Sequence, residues 1–334
     1  MGTKKIWLQA AVLLCLSGLF SGCQALEEEP VTSSRLLLDT VCTVTLYEPA
    51  DPELVSQALD LVAHYESLLS ATIEGSEIWN INHSQGEPVP VCSETAKVLR
   101  LGLQYSEISQ GKLDITIGQV TDLWDFGHGG QVPSVEQLRS ALETVDYRCL
   151  HILGNEEDGY TVTLEKTGAE INLGAIAKGY IADQVASFLR AKGVTCALLD
   201  LGGNIVALGE KPNGQPWHIG VETPYSDRTE LLGTLSLSAA AVTTSGIYER
   251  QFTQDGQIYH HILDPKTGYP VETDVVSVTV ITDTAAQGDC LSTLCLLFGL
   301  EAGMNFLSQD EDVLGAVWVD HQGQVYVQGE INFQ

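Results

Sequence analysis

The sequence predicts an α+β protein, mixed sheets with packed helices, as a single domain over residues 35–334 that forms one body or two lobes. Three observations point there. The 334 residues are 44% hydrophobic and 18% charged, enough to bury a large core and too apolar for a disordered chain. Runs such as Leu231–Leu237 and Val275–Thr282 read as strands. Between such runs, stretches such as Pro52–Leu69 and residues 181–192 carry apolar residues at helical spacing.

From the N-terminus, Lys4 and Lys5 precede an apolar run from Ile6 to Phe20 that ends in Ser21-Gly22-Cys23. Charged, apolar and small residues in that order make a secretory signal, too short for a comfortable membrane span. Small residues before a cysteine resemble the bacterial lipobox. Residues 1–22 are therefore expected to be a lipoprotein signal peptide and Cys23 a lipidated (palmitate-bearing) membrane anchor, with a plain secretory signal as the alternative. Residues 23–34 then read as an acidic tether, and the chain is expected on the extracytoplasmic face of the plasma membrane.

Residues 35–47 read as a first strand and Pro52–Leu69 as a helix, opened by proline and striped by Leu54, Ala58, Leu61, Val62, Tyr65 and Leu69. His64 and Glu66 on that helix suit exposed or capping roles. Ser76 with Asn80 and Asn82 reads as a loop with capping chemistry. Residues 92–110 form a second amphipathic helix, started by Ser93 and stopped before Gly111, and Ser134 starts a third. A hairpin turn at Asp158-Gly159 leads into a strand over 160–165. Gly174 and Gly179 bracket Lys178 before the helix over 181–192, so the backbone there can approach a ligand and offer N–H groups to an anion. Ala197-Leu198-Leu199 is a short buried strand, and Gly202-Gly203 turns the chain sharply.

Charge and cysteine usage bound the function. The net charge of −28 repels phosphate backbones, so no nucleic-acid partner is expected. A bound phosphate would need a local remedy, a metal ion or a glycine-rich nest. Cys42, Cys92, Cys149, Cys196, Cys290 and Cys295 show no C-x-x-C or zinc spacing, and whether they pair is open.

Several stretches carry a family resemblance. Ala175-Ile176-Ala177-Lys178-Gly179-Tyr180 with Asp200-Leu201-Gly202-Gly203-Asn204 resembles the central signature of the ApbE family, the FAD:protein FMN transferases. Ser70 to Asn82, Gly111 to Gly127, Ala239 to Arg250 and Tyr259 to Pro270 resemble further signatures of that family, in the same order. The resemblance implies a T-fold-related catalytic domain. It implies Mg²⁺-dependent cleavage of FAD, transfer of its FMN half to a Thr or Ser hydroxyl of an extracytoplasmic redox protein, and release of AMP.

By the same resemblance, flavin-nucleotide contacts fall on Thr40, Thr72, Lys112, Leu113, Asp114, Asn172, Lys178 and Leu263. Three departures stand out. Leu38-Asp39-Thr40 replaces a Met-Gly-Thr element, Thr72 stands where an aromatic often stacks on flavin, and Asn172 stands where aspartate is usual. Read from the residues alone, Asp114 and Thr116 equally well organise a turn. Asp289 and Thr293 are four apart, so on a helix their oxygens share a face suited to Mg²⁺, or they merely favour the helix dipole and face solvent. The resemblance puts them on the metal-binding Asp-x-x-x-Thr, completed by the backbone oxygen of Ala175. Asp289 and His261 are the catalytic candidates, His261 as proton acceptor with His260 second. Two other readings use the same residues: an FAD pyrophosphatase with water as nucleophile, and a flavin-binding lipoprotein without catalysis.

Overall fold

The computed structural model describes residues 29–226 and 230–334. The expected signal peptide and Cys23 lie outside them. Among the described residues no helix is long and apolar enough to cross a membrane.

Strand pairing builds an eight-stranded antiparallel sheet in the order β1 (Val31–Leu37), β2 (Thr40–Glu48), β6 (Cys196–Leu201), β7 (Asn204–Leu208), β10 (Ala240–Gly246), β13 (Val275–Thr282), β14 (Val313–Asp320) and β15 (Val325–Gly329). Two three-stranded sheets accompany it. One is β3 (Val89–Val91), β5 (Gly159–Leu164) and β4 (Leu150–Asn155), the other β16 (Asn332–Phe333), β9 (Leu231–Leu237) and β8 (Trp217–Glu222). A two-stranded hairpin joins β11 (Gln251–Gln254) to β12 (Gln257–His260). The helices are α1 (Pro52–Leu69), α2 (Glu77–Asn82), α3 (Ser93–Ile108), α4 (Gly118–Trp124), α5 (Val135–Leu142), α6 (Ala177–Ala191), α7 (Ala285–Phe298) and α8 (Leu300–Leu307).

Helices α1, α6 and α7 pack on one face of the large sheet. On the other, Trp217, Ile219 and Leu235 of the β8–β9 sheet meet Ala207, Val242, Ile281 and Val317. With both faces covered, β13 has no exposed residue, which is why it reads as a nearly continuous β-branched run. A satellite core of Val120, Trp124, Leu138, Ala141 and Leu263 joins α4 and α5 to the loop after β12. A main core, a second cluster between the sheets and this satellite are the form the single domain takes. All six described cysteines are free, five of them buried among apolar neighbours.

Local capping explains the helices that the sequence located. Asp51 caps α1 by accepting from the Glu53 N–H at 2.8 Å, with Pro52 next. Ser134 and Gln137 close a capping box at α5. Ser76 accepts from the Trp79 N–H at 2.9 Å, so the stretch expected as a loop opens α2.

Three expectations need correction. Residues 35–47 are two strands and not one, because Leu38 and Asp39 both have positive φ (54° and 57°) and turn the chain between Leu37 and Thr40. Two left-handed residues are what a tight hairpin with the right twist requires, and the Leu38 N–H donates to Glu66 at 2.6 Å. The tether expected through residue 34 ends earlier, since β1 already pairs from Val31. Helix α6 begins at Ala177, four residues before the expected start at 181, so Lys178 and Gly179 sit inside its first turn.

Candidate active site

Helices α6 and α7 supply each other's missing caps. Ile176 and Thr284, at their N-caps, make no side-chain capping bond. Instead the Gly179 N–H of α6 donates to Asp289 Oδ2 of α7 at 2.9 Å. Asp183 of α6 accepts from the Ala285 and Ala286 N–H groups of α7 at 2.8 and 2.9 Å. Burial raises the Asp183 pKa, with Asp289 adding to the rise, against the lowering effect of the two amide bonds. Residue 179 against 289 and 183 against 285 is antiparallel register. Ala175 lies in the turn that enters α6, just before its N-cap Ile176.

Gly179 is required by this contact and not by loop freedom. A Cβ there would lie 2.2 Å from the Ala285 carbonyl oxygen. Gly179→Ala must push two backbones apart, and no rotamer change can relieve it. We expect a loss of about 1–3 kcal/mol by urea unfolding, although alanine is the better helix former.

Asp289 is buried, with 3% of its surface exposed, and Thr293 lies one turn further along the same helix. Ser245 of β10 approaches that turn, its hydroxyl 2.8 Å from Ser292 Oγ and 3.3 Å from Thr293 Oγ1. Among the described residues no three of His, Cys, Asp and Glu gather as a metal site. The donors expected from the sequence are the Asp289 carboxylate, the Thr293 hydroxyl and the Ala175 backbone carbonyl. All are hard oxygens, a set that fits Mg²⁺ sharing its remaining positions with phosphate and water.

A second group lies at the Gly202-Gly203 turn. Gly202 has a φ of 64°, and a Cβ on it would come 2.4 Å from Thr40 Oγ1, so Thr40 packs directly on this backbone. Lys178 Nζ lies 3.5 Å from the Gly202 carbonyl. Thr40 and Lys178, far apart in sequence, therefore both reach the Gly202 turn. His261 stands within electrostatic reach of Lys178, and its Nδ1 bonds the Arg250 carbonyl at 3.1 Å. Burial first, then the charges of Arg250, His260 and Lys178, pull the His261 pKa down to about 4. With Nδ1–H donating to that carbonyl, Nε2 is left as a proton acceptor. His260 is also pulled to about 4 by burial, but it senses His321, and its buried Nδ1 has no hydrogen-bond partner.

The remaining candidates serve mainly their own turns. Asp114 accepts from Thr116 N–H (2.9 Å), Thr116 Oγ1–H (2.6 Å) and Tyr147 N–H (3.0 Å), and burial still raises its pKa. Leu113 and Leu263 are buried in the main and satellite cores. Lys112 Nζ reaches Asp264 at 3.6 Å and the Leu297 carbonyl at 3.5 Å, tying its turn to the Asp264-Pro265 loop and the end of α7. Asn172 accepts from the Gly174 N–H at 2.8 Å and donates to Thr121 Oγ1 at 3.2 Å, holding the turn that carries Ala175. Thr72 is exposed and bonds Ser70 locally. Ser245 and Asp264 were not among the candidates. Both stand inside motifs that the sequence displays, but their partners come from α7 and the Lys112 turn.

Comparison with known proteins bears on this geometry. The family model described as ApbE family matches residues 38–318. The FAD:protein FMN transferase of Klebsiella pneumoniae (strain 342) is 37% identical over 282 residues, covering 84% of this chain and 86% of the relative. That of Treponema pallidum (strain Nichols) is 32% identical over 326 residues, covering 92% and 90%. Among solved structures, the ApbE protein of Thermotoga maritima superposes with a TM-score of 0.80 at 29% identity, covering 90% of this chain and 97% of that one. The flavin transferase ApbE from Vibrio cholerae gives 0.79 at 29% identity, with the same coverages.

Proposed function

Since this chain belongs to the ApbE family and is a flavin transferase, we propose that it moves the FMN half of FAD onto a Thr or Ser hydroxyl of an extracytoplasmic redox protein and releases AMP. The observation that carries this reading is the α6–α7 junction, where a buried carboxylate, docked on Gly179, stands one turn from Thr293. Asp289, Thr293 and the Ala175 carbonyl would hold Mg²⁺, which when bound supplies neutralisation of the pyrophosphate charge.

The chain's own residues do the rest. Lys178, beside the Gly202 turn, binds and orients the dinucleotide. The acceptor hydroxyl oxygen attacks the FMN phosphorus, the bond from that phosphorus to the bridging oxygen breaks, and AMP leaves with that oxygen. The hydroxyl proton passes to His261 Nε2. Lipidated Cys23, after removal of residues 1–22, would keep the enzyme at the outer face of the plasma membrane beside such acceptors.

The test incubates the protein with FAD, Mg²⁺ and an acceptor fragment. The expected result is a mass gain of one FMN on the fragment, absent when its acceptor Thr or Ser is alanine, with AMP released in equal amount. Free FMN plus AMP with no labelled fragment would make the protein an FAD pyrophosphatase instead. FAD bound and left intact would make it a flavin carrier.

A further inference from the structure

We infer that Ser245 is a positioning residue that turns the lone pairs of Thr293 towards the cation. The inference rests on the Mg²⁺ reading above. It comes from counting protons along a chain of hydroxyl groups. Ser292 Oγ lies 3.1 Å from the Asp289 backbone oxygen, which can only accept, so Ser292 spends its one proton there. The 2.8 Å contact between Ser245 and Ser292 must then be donated by Ser245. With that proton used, the 3.3 Å contact between Ser245 and Thr293 must be donated by Thr293.

Every direction in the chain is thus set by its terminal carbonyl. Thr293 Oγ1 gives its proton inward, and its lone pairs are left for a ligand on the other side. A metal-bound hydroxyl requires this arrangement, because the cation takes a lone pair and makes the O–H a stronger donor that needs an acceptor. The chain ends on the backbone of Asp289, so it joins the two side-chain ligands through a second strand of contacts besides α7 itself. Ser292 is fully buried, which keeps water from taking its place.

The test titrates Mn²⁺, a hard-oxygen substitute for Mg²⁺, into the FAD-loaded protein without acceptor, reading free Mn²⁺ by electron paramagnetic resonance. Ser245→Ala should weaken Mn²⁺ binding by about 10–100-fold while thermal unfolding without metal stays where it is. Ser245→Thr, which keeps the hydroxyl, should restore the affinity. Ser292→Ala keeps Ser245 but frees it to donate towards Thr293, so it too should weaken binding, and it serves if Ser245→Ala does not fold. Unchanged affinity in Ser245→Ala or in Ser292→Ala, beside a clear loss in Asp289→Ala, would overturn the inference and leave the metal reading standing. Unchanged affinity in Asp289→Ala would instead remove the metal reading itself.

Discussion

Asp289→Ala is expected to abolish transfer, lowering kcat/KM by roughly 10³-fold or more, since a cation clamped on a pyrophosphate supplies several kcal/mol of charge stabilisation. It should also cost stability. Asp289 accepts the Gly179 N–H, and deleting the carboxylate leaves that buried donor without a partner, a loss of about 1–3 kcal/mol. Asp289→Asn separates the two roles. The amide oxygen still accepts from Gly179 but carries no charge, so urea unfolding should return close to the parent while transfer stays lost. If Asp289→Asn transferred FMN as well as the parent, the carboxylate would have only a structural task.

His261→Ala is expected to lower kcat by about 10²–10⁴-fold, the usual worth of a positioned general base. The pH profile gives the sharper test. A histidine pulled down to about 4 is neutral throughout the physiological range, so the acid limb of kcat/KM should fall near pH 4 and not near 6.5. Its low basicity weakens the pull on the hydroxyl proton but guarantees the proton-free form. Bound FAD brings negative charge next to the imidazole and favours its protonated form, so the acid limb of kcat should lie higher than that of kcat/KM.

Arg250 offers a control, because its charge is one cause of the depression. Arg250→Met should raise the His261 pKa and move the acid limb of kcat/KM upward. The same depression sets a stability trend. Between about 6.5 and about 4 the unfolded chain takes up protons that folded His261 and His260 refuse. The fold therefore loses stability as pH falls through that window. An acid limb near 6.5 would contradict the half-buried, positively surrounded environment of His261.

Elements whose signals are local were legible in the sequence. Asp51-Pro52 and the Ser134–Gln137 box cap their own helices, and β9 and β13 carry strand patterns within a few residues. The start of α6 was not legible, because its cap is Asp289, 110 residues away in sequence. The turn at Leu38-Asp39 was hidden for a similar reason. Leucine disfavours positive φ, and the conformation is held by the Leu38 N–H on Glu66 of α1.

The site divides along the same line. Family resemblance singled out Lys178, His261, Asp289 and Thr293, whereas spacing alone left Asp289 and Thr293 open between a cation and the helix dipole. Only the tertiary structure decided that Asp114 and Asn172 are engaged in their own turns, that Thr40 and Lys178 both reach the Gly202 turn, and that Ser245 stands behind Thr293. Side-chain chemistry belongs to the residue and can be read from the chain. What a polar atom donates to, and what charge lies beside it, depend on which distant segment packing brings within 3 Å or so.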